Sequence, residues 1–178
     1  MLTVRQAVQE DMPAVLELYD GIIGLFQAQT GNMGWRKGVY PTEADFQKAI
    51  GAGALYVGEL EDRLAGGMII TQGTDKSYGD APWRVDAADD ETAVIHTLSV
   101  SPALAGRGLG LRMVEGAVGL AREKGWKALR LDVLDVNIPA QRFYERAGFV
   151  YIETKQIWYE STGLASFLLY EYAVQAKC

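Results

Sequence analysis

The stretch at residues 93–110, AVIHTLSVSPALAGRGLG, constrains the fold of this 178-residue chain more than any other. Apolar residues and one histidine stand at alternate positions, which predicts a strand with these side chains on one face: Val94, His96, Leu98 and Val100. Pro102 ends that strand, because proline has no amide hydrogen for a ladder bond. Three glycines then lead directly into an amphipathic helical pattern. A glycine turn at the start of a helix exposes backbone amides, and such amides favour an anionic ligand.

The remaining pattern mixes hairpins with helical crossovers. Strands are predicted at residues 2–7, 54–61, 64–72, 93–100, 128–134, 149–159 and 164–174, and helices at 14–29, 42–51, 111–125 and 139–147. Gly21 and Gly24 weaken the first helix and predict a bend or break there. Thr42 followed by Asp45 resembles a capping pair at the start of the second. Hairpins and crossovers together require a mixed sheet, which gives an α/β fold of the α+β kind.

Length and charge narrow the function classes. A chain of this length fits one domain with a sizeable core. A net charge of −6 opposes nonspecific binding to nucleic acid or anionic membranes, and is easier to reconcile with a cationic substrate. With no signal-peptide pattern and no membrane-length apolar run, we expect a cytoplasmic protein. One histidine and the lone Cys178 provide neither a metal-ligand cluster nor an internal disulfide.

Residues 105–110, Ala-Gly-Arg-Gly-Leu-Gly, form the first of two motifs, and residues 137–149, Asn-x-x-Ala-x-x-Phe-Tyr-Glu-Arg-x-Gly-Phe, form the second. Both motifs resemble those of the Gcn5-related N-acetyltransferase (GNAT) family, in which residues 105–110 occupy the positions of the turn Gln/Arg-x-x-Gly-x-Gly/Ala. The absence of a following Gly-Lys-Ser/Thr excludes the Walker nucleotide-binding pattern. The second motif has fixed spacings and is the more specific; its residues are Asn137, Ala140, Phe143, Tyr144, Glu145, Arg146, Gly148 and Phe149.

The resemblance implies a mostly antiparallel central sheet of about seven strands flanked by about four helices, in one acetyltransferase domain over residues 1–178. The implied enzyme transfers an acetyl group from acetyl-coenzyme A to a primary amine of a small molecule or peptide. Transfer would occur by direct attack in a ternary complex, without a metal. The alternative is a non-catalytic acyl-coenzyme A-binding regulatory module. Ala105 favours it, because this side chain replaces the family's Gln or Arg and cannot hydrogen-bond.

The resemblance also assigns roles to residues. Strand amides at residues 98–100 would stabilise the oxyanion, the glycine turn would bind pyrophosphate, and Tyr144 would protonate the leaving thiolate. Tyr144 could instead pack over the sheet, and Asn137 could cap a helix as well as contact the pantetheine arm. The implied coenzyme contacts are Leu98, Ser99, Val100, Ala105, Gly106, Arg107, Gly108, Leu109, Gly110, Asn137, Ala140 and Tyr144.

The attacking amine must lose a proton, and several side chains could accept it. His96 is the only histidine and shares the predicted strand face with Leu98 and Val100; an unperturbed imidazole titrates near neutrality, as a general base should. A buried histidine bonded to a neighbour is the alternative interpretation. The strand carboxylates that could act directly or through water are Glu59, Asp132 and Glu171.

In this family the acceptor pocket is built from the first helices and later loops, here residues 26–40 and 73–92 and the last hairpin. Aromatic faces attract cations, so aromatic residues there could line a site for a cationic amine. They could equally close the core or form a homodimer interface. The candidates are Trp35, Trp83, Trp158 and Tyr170.

Overall fold

The computed structural model describes residues 2–29 and 34–175. Residues 30–33, in the predicted loop after the first helix, and Cys178 lie outside the described residues. The chain forms two compact units. The first comprises Met1–Ile70 and His96–Gly116, and the second comprises Thr71–Ile95 and Ala117–Cys178. A single acetyltransferase domain over the whole chain stays a prediction.

The first unit contains the N-terminal strands and helices. Its elements are β1 (Thr3–Gln6), α1 (Met12–Gln29), α2 (Glu43–Gly51), β2 (Leu55–Leu60), most of β3 (Arg63–Gln72), the end of β4 (Thr92–Val100) and the start of α3 (Leu109–Lys124). Strands β1, β2 and β3 pair antiparallel. Glu61 and Asp62, with φ values of 53° and 59°, make the tight β2–β3 turn.

The second unit contains the C-terminal hairpin. Its elements are the first residues of β4, the second half of α3, β5 (Ala128–Leu134), α4 (Ile138–Arg146), β6 (Val150–Tyr159) and β7 (Gly163–Ala173). β4 pairs in parallel with β5 at Thr92, Ala93 and Val94. β7 pairs antiparallel with both β5 and β6.

Hydrogen bonding orders the seven strands as β1-β2-β3-β4-β5-β7-β6. The β1–β2, β2–β3, β5–β7 and β6–β7 pairs are antiparallel and the β4–β5 pair is parallel, which confirms the predicted mixed fold class. Four α-helices accompany the sheet among the described residues. Within the same residues, no helix combines the length and apolar character needed to span a membrane.

Local predictions for the first two helices had different outcomes. α1 continues through Gly21 and Gly24, so the helix is not broken there, and the bend that was the other expectation stays a prediction. Both glycines are exposed, while the adjacent Ile22 and Ile23 are buried and anchor the helix; this burial outweighs a propensity cost of about 1 kcal/mol per glycine. The cap of α2 is confirmed, because the Thr42 amide donates to Asp45 Oδ2 at 2.8 Å.

Candidate functional site

The end of β4 alternates in exposure from His96 onwards. His96, Leu98 and Val100 are half-buried, whereas Thr97 and Ser99 are only 7% and 8% exposed. The first three therefore lie on the more open face, as the alternating pattern predicts. The opposite face carries two hydroxyl side chains inside the first unit.

Thr97 has a backbone conformation that the sequence does not reveal. Its φ is +54°, in the left-handed region, in the middle of a strand. A β-branched residue there is a true outlier, and such strain costs about 1–3 kcal/mol. The Tyr19 hydroxyl on α1 donates a hydrogen bond of 2.7 Å to the Thr97 carbonyl oxygen. A side chain from another element thus contacts the strained peptide directly.

Tyr19 is 2% exposed, and burial raises its pKa to about 12. The neighbouring hydroxyls of Ser99 and Thr97 offset part of that rise. Neither of these two hydroxyls completes a hydrogen bond of good geometry with the residues that the structure describes. The Tyr19 hydroxyl is consequently a neutral donor over the physiological pH range.

Sequence reasoning missed both Tyr19 and Thr97. Tyr19 falls on the apolar stripe of α1 and resembles any core aromatic, and threonine is a common strand residue. The two residues are 78 positions apart, so only the folded chain reveals their contact. No local signal could have found it.

The glycine turn follows β4 and leads into α3. Gly106 and Gly108 have φ values of +79° and +71°, which favour glycine strongly, and a Cβ at either position would meet no atom within 4 Å. Residues 105–108 are all exposed, including the Arg107 side chain. The turn therefore presents open backbone and one cation.

Helix α3 starts immediately after this turn. Leu109 is 5% exposed and packs with Leu60 and Ala65, which anchors the helix start in the first unit. The Arg112 amide donates to the Gly108 carbonyl at 3.3 Å, so the amides of residues 109–111 precede the helical bonding pattern. Such amides, with the helix dipole and an exposed arginine, fit a phosphate-bearing ligand.

Asn137 caps helix α4 in the second unit. Its Oδ1 accepts a hydrogen bond of 3.3 Å from the Ala140 amide. Gln141 adds a second restraint, because its Nε2 donates to the Asp135 carbonyl at 2.7 Å. The capping interpretation of Asn137 is confirmed; its contact with a pantetheine arm, and that of Ala140, stay predictions.

Tyr144 lies half-buried on α4 among aromatic rings. Its ring meets Phe143 and Phe149 edge-on, at centroid distances of 5.1 and 5.5 Å. Gly148 follows the end of α4 with a φ of +94°, and a Cβ there would lie 3.1 Å from the Tyr172 ring. The spacing of this motif thus has a packing reason. The acid role of Tyr144 stays a prediction.

Two of the three candidate carboxylates are engaged with arginines. Glu59 Oε2 lies 2.7 Å from Arg5 Nε. Glu171 Oε2 lies 3.1 Å from Arg130 Nε, with both residues less than 5% exposed. Glu171 Oε1 also accepts hydrogen bonds from the amides of residues 84–85 at 2.8 and 3.0 Å. Both carboxylates therefore stabilise structure.

Asp132 has different surroundings. Its Oδ2 accepts hydrogen bonds from the hydroxyls of Tyr78 at 2.7 Å and Tyr159 at 2.9 Å. Burial, with the charge of Asp132, raises the pKa of both tyrosines well above the usual value. The tyrosines stay protonated donors, and the carboxylate is held by hydroxyls within the second unit.

The aromatic acceptor candidates are mostly used in packing. Trp35 lies 5.8 Å from the Tyr19 ring, Trp83 lies 4.2 Å from the Arg130 guanidinium, and Tyr170 is completely buried. Trp158 differs, because it is 64% exposed. Over residues 2–29 and 34–175, no three His, Cys, Asp or Glu side chains are grouped to hold a metal ion.

Comparison with known proteins agrees with this geometry. The model of the acetyltransferase (GNAT) family matches residues 22–149. An uncharacterized N-acetyltransferase from Methanocaldococcus jannaschii is 27% identical over 160 residues, which cover 88% of this chain and 64% of that relative. The chain thus spans less than two thirds of that relative's length.

Solved structures share the fold. A GNAT-family acetyltransferase from Streptococcus agalactiae 2603 superposes with a TM-score of 0.82 at 20% identity, covering 99% of this chain and 96% of that chain. The structure of yncA from Salmonella typhimurium with its cofactor acetyl-CoA gives 0.69 at 17% identity, covering 100% and 96%. With a family match over most of its length and the corresponding fold, the chain belongs to the acetyltransferase (GNAT) family.

Proposed function

We propose that the protein transfers an acetyl group from acetyl-coenzyme A to a primary amine of a small molecule or peptide, as a single domain over residues 1–178. The observation that carries the proposal is the turn from β4 into α3, with left-handed glycines at 106 and 108 and open space in front of them. The N-acetyltransferase relative and the yncA complex with acetyl-CoA support it.

Coenzyme binding would rest mainly on backbone groups. The amides of residues 106–110 and the exposed Arg107 would hold the pyrophosphate, since helix-start amides and arginine both favour phosphate oxygens. Ala105 contributes its backbone alone. Asn137, Ala140 and residues 98–100 would contact the pantetheine arm and the thioester.

In the transfer, a carbon–nitrogen bond forms between amine and acetyl carbon as the thioester carbon–sulfur bond breaks. Amides of residues 98–100 donate to the carbonyl oxygen as it gains negative charge. Tyr144 gives its hydroxyl proton to the departing sulfur. His96 accepts the proton that the ammonium loses before it attacks as the neutral amine, and Asp132 is the alternative acceptor, directly or through water. The second proton that the nitrogen loses as the amide forms returns to the Tyr144 oxygen.

A test of this proposal measures free thiol as the protein is offered acetyl-CoA and a broad panel of primary amines. We expect thiol release that depends on an amine. Tyr144→Phe should lower kcat by about 100-fold or more while acetyl-CoA still binds, since a general acid contributes that much. Tyr151→Phe is the matched control, because Tyr151 lies on β6, is 46% exposed, and its hydroxyl contacts the Thr154 hydroxyl. Full activity in Tyr144→Phe would refute the acid role.

The second candidate function is a non-catalytic acyl-coenzyme A-binding regulatory module. Ala105 favours it, because an exposed methyl group stands where the family places a hydrogen-bonding side chain. Calorimetric titration with acetyl-CoA separates the two functions when it is paired with the thiol assay. Binding without turnover on any amine would select the regulatory module.

Net charge and exposed apolar surface give expectations for the binding partners of this protein. With a net charge of −6, we expect no binding to nucleic acid or anionic vesicles. A homodimer would form on exposed apolar surface, and Trp158 with its cross-strand neighbour Leu164 offers one, at 64% and 69% exposure. Sedimentation of Trp158→Ser beside the unaltered protein tests that interface.

A further inference from the structure

We propose that Tyr19 is a positioning residue that aims the Leu98 amide at the thioester carbonyl. The inference rests on the proposed function, in which amides of residues 98–100 bind the developing oxyanion. Tyr19 touches neither substrate in this assignment. It acts through the backbone of Thr97, and all three residues belong to the first unit.

The geometry of one peptide group connects Tyr19 to Leu98. The carbonyl of Thr97 and the amide of Leu98 belong to the same peptide group, which is planar and trans, so they point in opposite directions. The Tyr19 hydroxyl donates to that carbonyl at 2.7 Å and therefore fixes its direction. The Leu98 N–H is thereby directed away from Tyr19.

The peptide needs such a restraint because Thr97 is strained. Its φ of +54° is unfavourable for a β-branched residue, and the strand would relax if nothing opposed it. The Thr97 and Ser99 hydroxyls, both more than nine-tenths buried, complete no good hydrogen bond with described residues. The Tyr19 hydroxyl donates its hydrogen bond to the carbonyl oxygen of Thr97.

Tyr19 is itself held firmly. Its ring packs against Phe46 at 4.7 Å and Trp35 at 5.8 Å between centroids. On a third side, a Cβ at Gly67 would lie only 2.9 Å from the Tyr19 hydroxyl oxygen. Because its neighbours restrain the Tyr19 hydroxyl, this hydroxyl can hold the Leu98 amide in one orientation. An amide dipole that is already oriented before the reaction stabilises the developing charge without reorganisation, and this raises the rate.

The decisive variant is Tyr19→Phe, which removes the donor and keeps the ring. The first readout is the infrared carbonyl frequency of bound [1-13C]acetyl-CoA, which falls when an amide polarises the carbonyl. We expect the frequency in Tyr19→Phe to return toward that of free acetyl-CoA. We also expect kcat to fall about tenfold while KM for acetyl-CoA changes less than about twofold, because the lost interaction acts on the transition state.

Val15→Ala is the matched control. Val15 is completely buried in the same core cluster as Tyr19, so its truncation destabilises the unit without removing a hydrogen-bond donor. We expect lower thermal stability in this variant and an unchanged carbonyl frequency. A frequency change in Val15→Ala equal to that in Tyr19→Phe would overturn the positioning role.

Gly67→Ala tests the same connection without deleting the hydroxyl, and it serves if Tyr19→Phe fails to fold. The added methyl would displace the Tyr19 hydroxyl, so the carbonyl frequency and kcat should change in the same direction. Wild-type protein that binds no acetyl-CoA would overturn the proposed function. Normal binding with an unchanged carbonyl frequency in a folded Tyr19→Phe or Gly67→Ala would overturn the positioning role alone.

Discussion

Replacing Glu171 by Gln should destabilise the second unit strongly, because it leaves a buried arginine without its counter-charge. Arg130 and Glu171 are 4% and 3% exposed and face each other across the β5–β7 pair. Gln keeps an oxygen for the two backbone amides that Glu171 binds, but its amide nitrogen then stands opposite Arg130 Nε, so the change removes the charge and the hydrogen bond to Arg130. Breaking one side of a buried pair costs about 3–5 kcal/mol.

Two remaining contacts of Arg130 place the expected loss at the lower end of that range. Its Nη1 donates to Thr74 Oγ1 at 2.6 Å, and its guanidinium stacks 4.2 Å from the Trp83 ring centroid. We therefore expect a loss of about 3 kcal/mol. For a chain of this size, that loss lowers Tm by about 6–12 °C.

Thermal and urea unfolding of matched variants provide the assay. Glu59→Gln is the control, since it makes the same chemical change in a pair with Arg5 whose side chains are 32% and 40% exposed. Arg5 also keeps Asp11 at 2.8 Å. We expect the control to lose less than about 1 kcal/mol. Equal Tm shifts in the two variants would refute the reasoning.

Three further predictions concern the first unit. The free energy of unfolding should fall as pH rises from 10 toward 12, because the folded state holds the Tyr19 proton more tightly; Tyr19→Phe should remove about 2 kcal/mol of that fall in urea titrations. Ala105→Arg should tighten acetyl-CoA binding about tenfold by calorimetry, whereas Ala103→Arg, which adds the same charge two residues away, should not. Gly108→Ala should weaken acetyl-CoA binding, because its φ is +71°, while Gly119→Ala in the interior of α3 should leave it unchanged.

Much of the fold was predictable because its signals are local. β5 matches its predicted bounds, Ala128–Leu134, since its apolar residues alternate with Arg130 and Asp132 and a turn begins at Asp135. The cap of α2 was equally local, requiring only Thr42 and Asp45. α1 was the exception, because burial of its apolar face overrides the two glycines.

The site was predictable in its positions more than in its geometry. Motif spacing located the glycine turn and Tyr144, because glycine at positive φ and a capped short helix leave a sequence signature. The left-handed Thr97 leaves none, since threonine is an ordinary strand residue and the hydroxyl that contacts its carbonyl belongs to a tyrosine 78 residues away. The sequence alone likewise offers Glu171 as a candidate base, and only the register of β5 against β7 pairs it with Arg130.

We propose above all that this chain moves an acetyl group from acetyl-coenzyme A to an amine. Carbon NMR of [1-13C]acetyl-CoA mixed with the protein and an accepted amine tests it most directly. We predict that the thioester carbonyl signal is replaced by an amide carbonyl signal at the rate of thiol release, and that Tyr144→Phe slows both. A thioester signal that persists with every amine, or that becomes free acetate, would contradict the account.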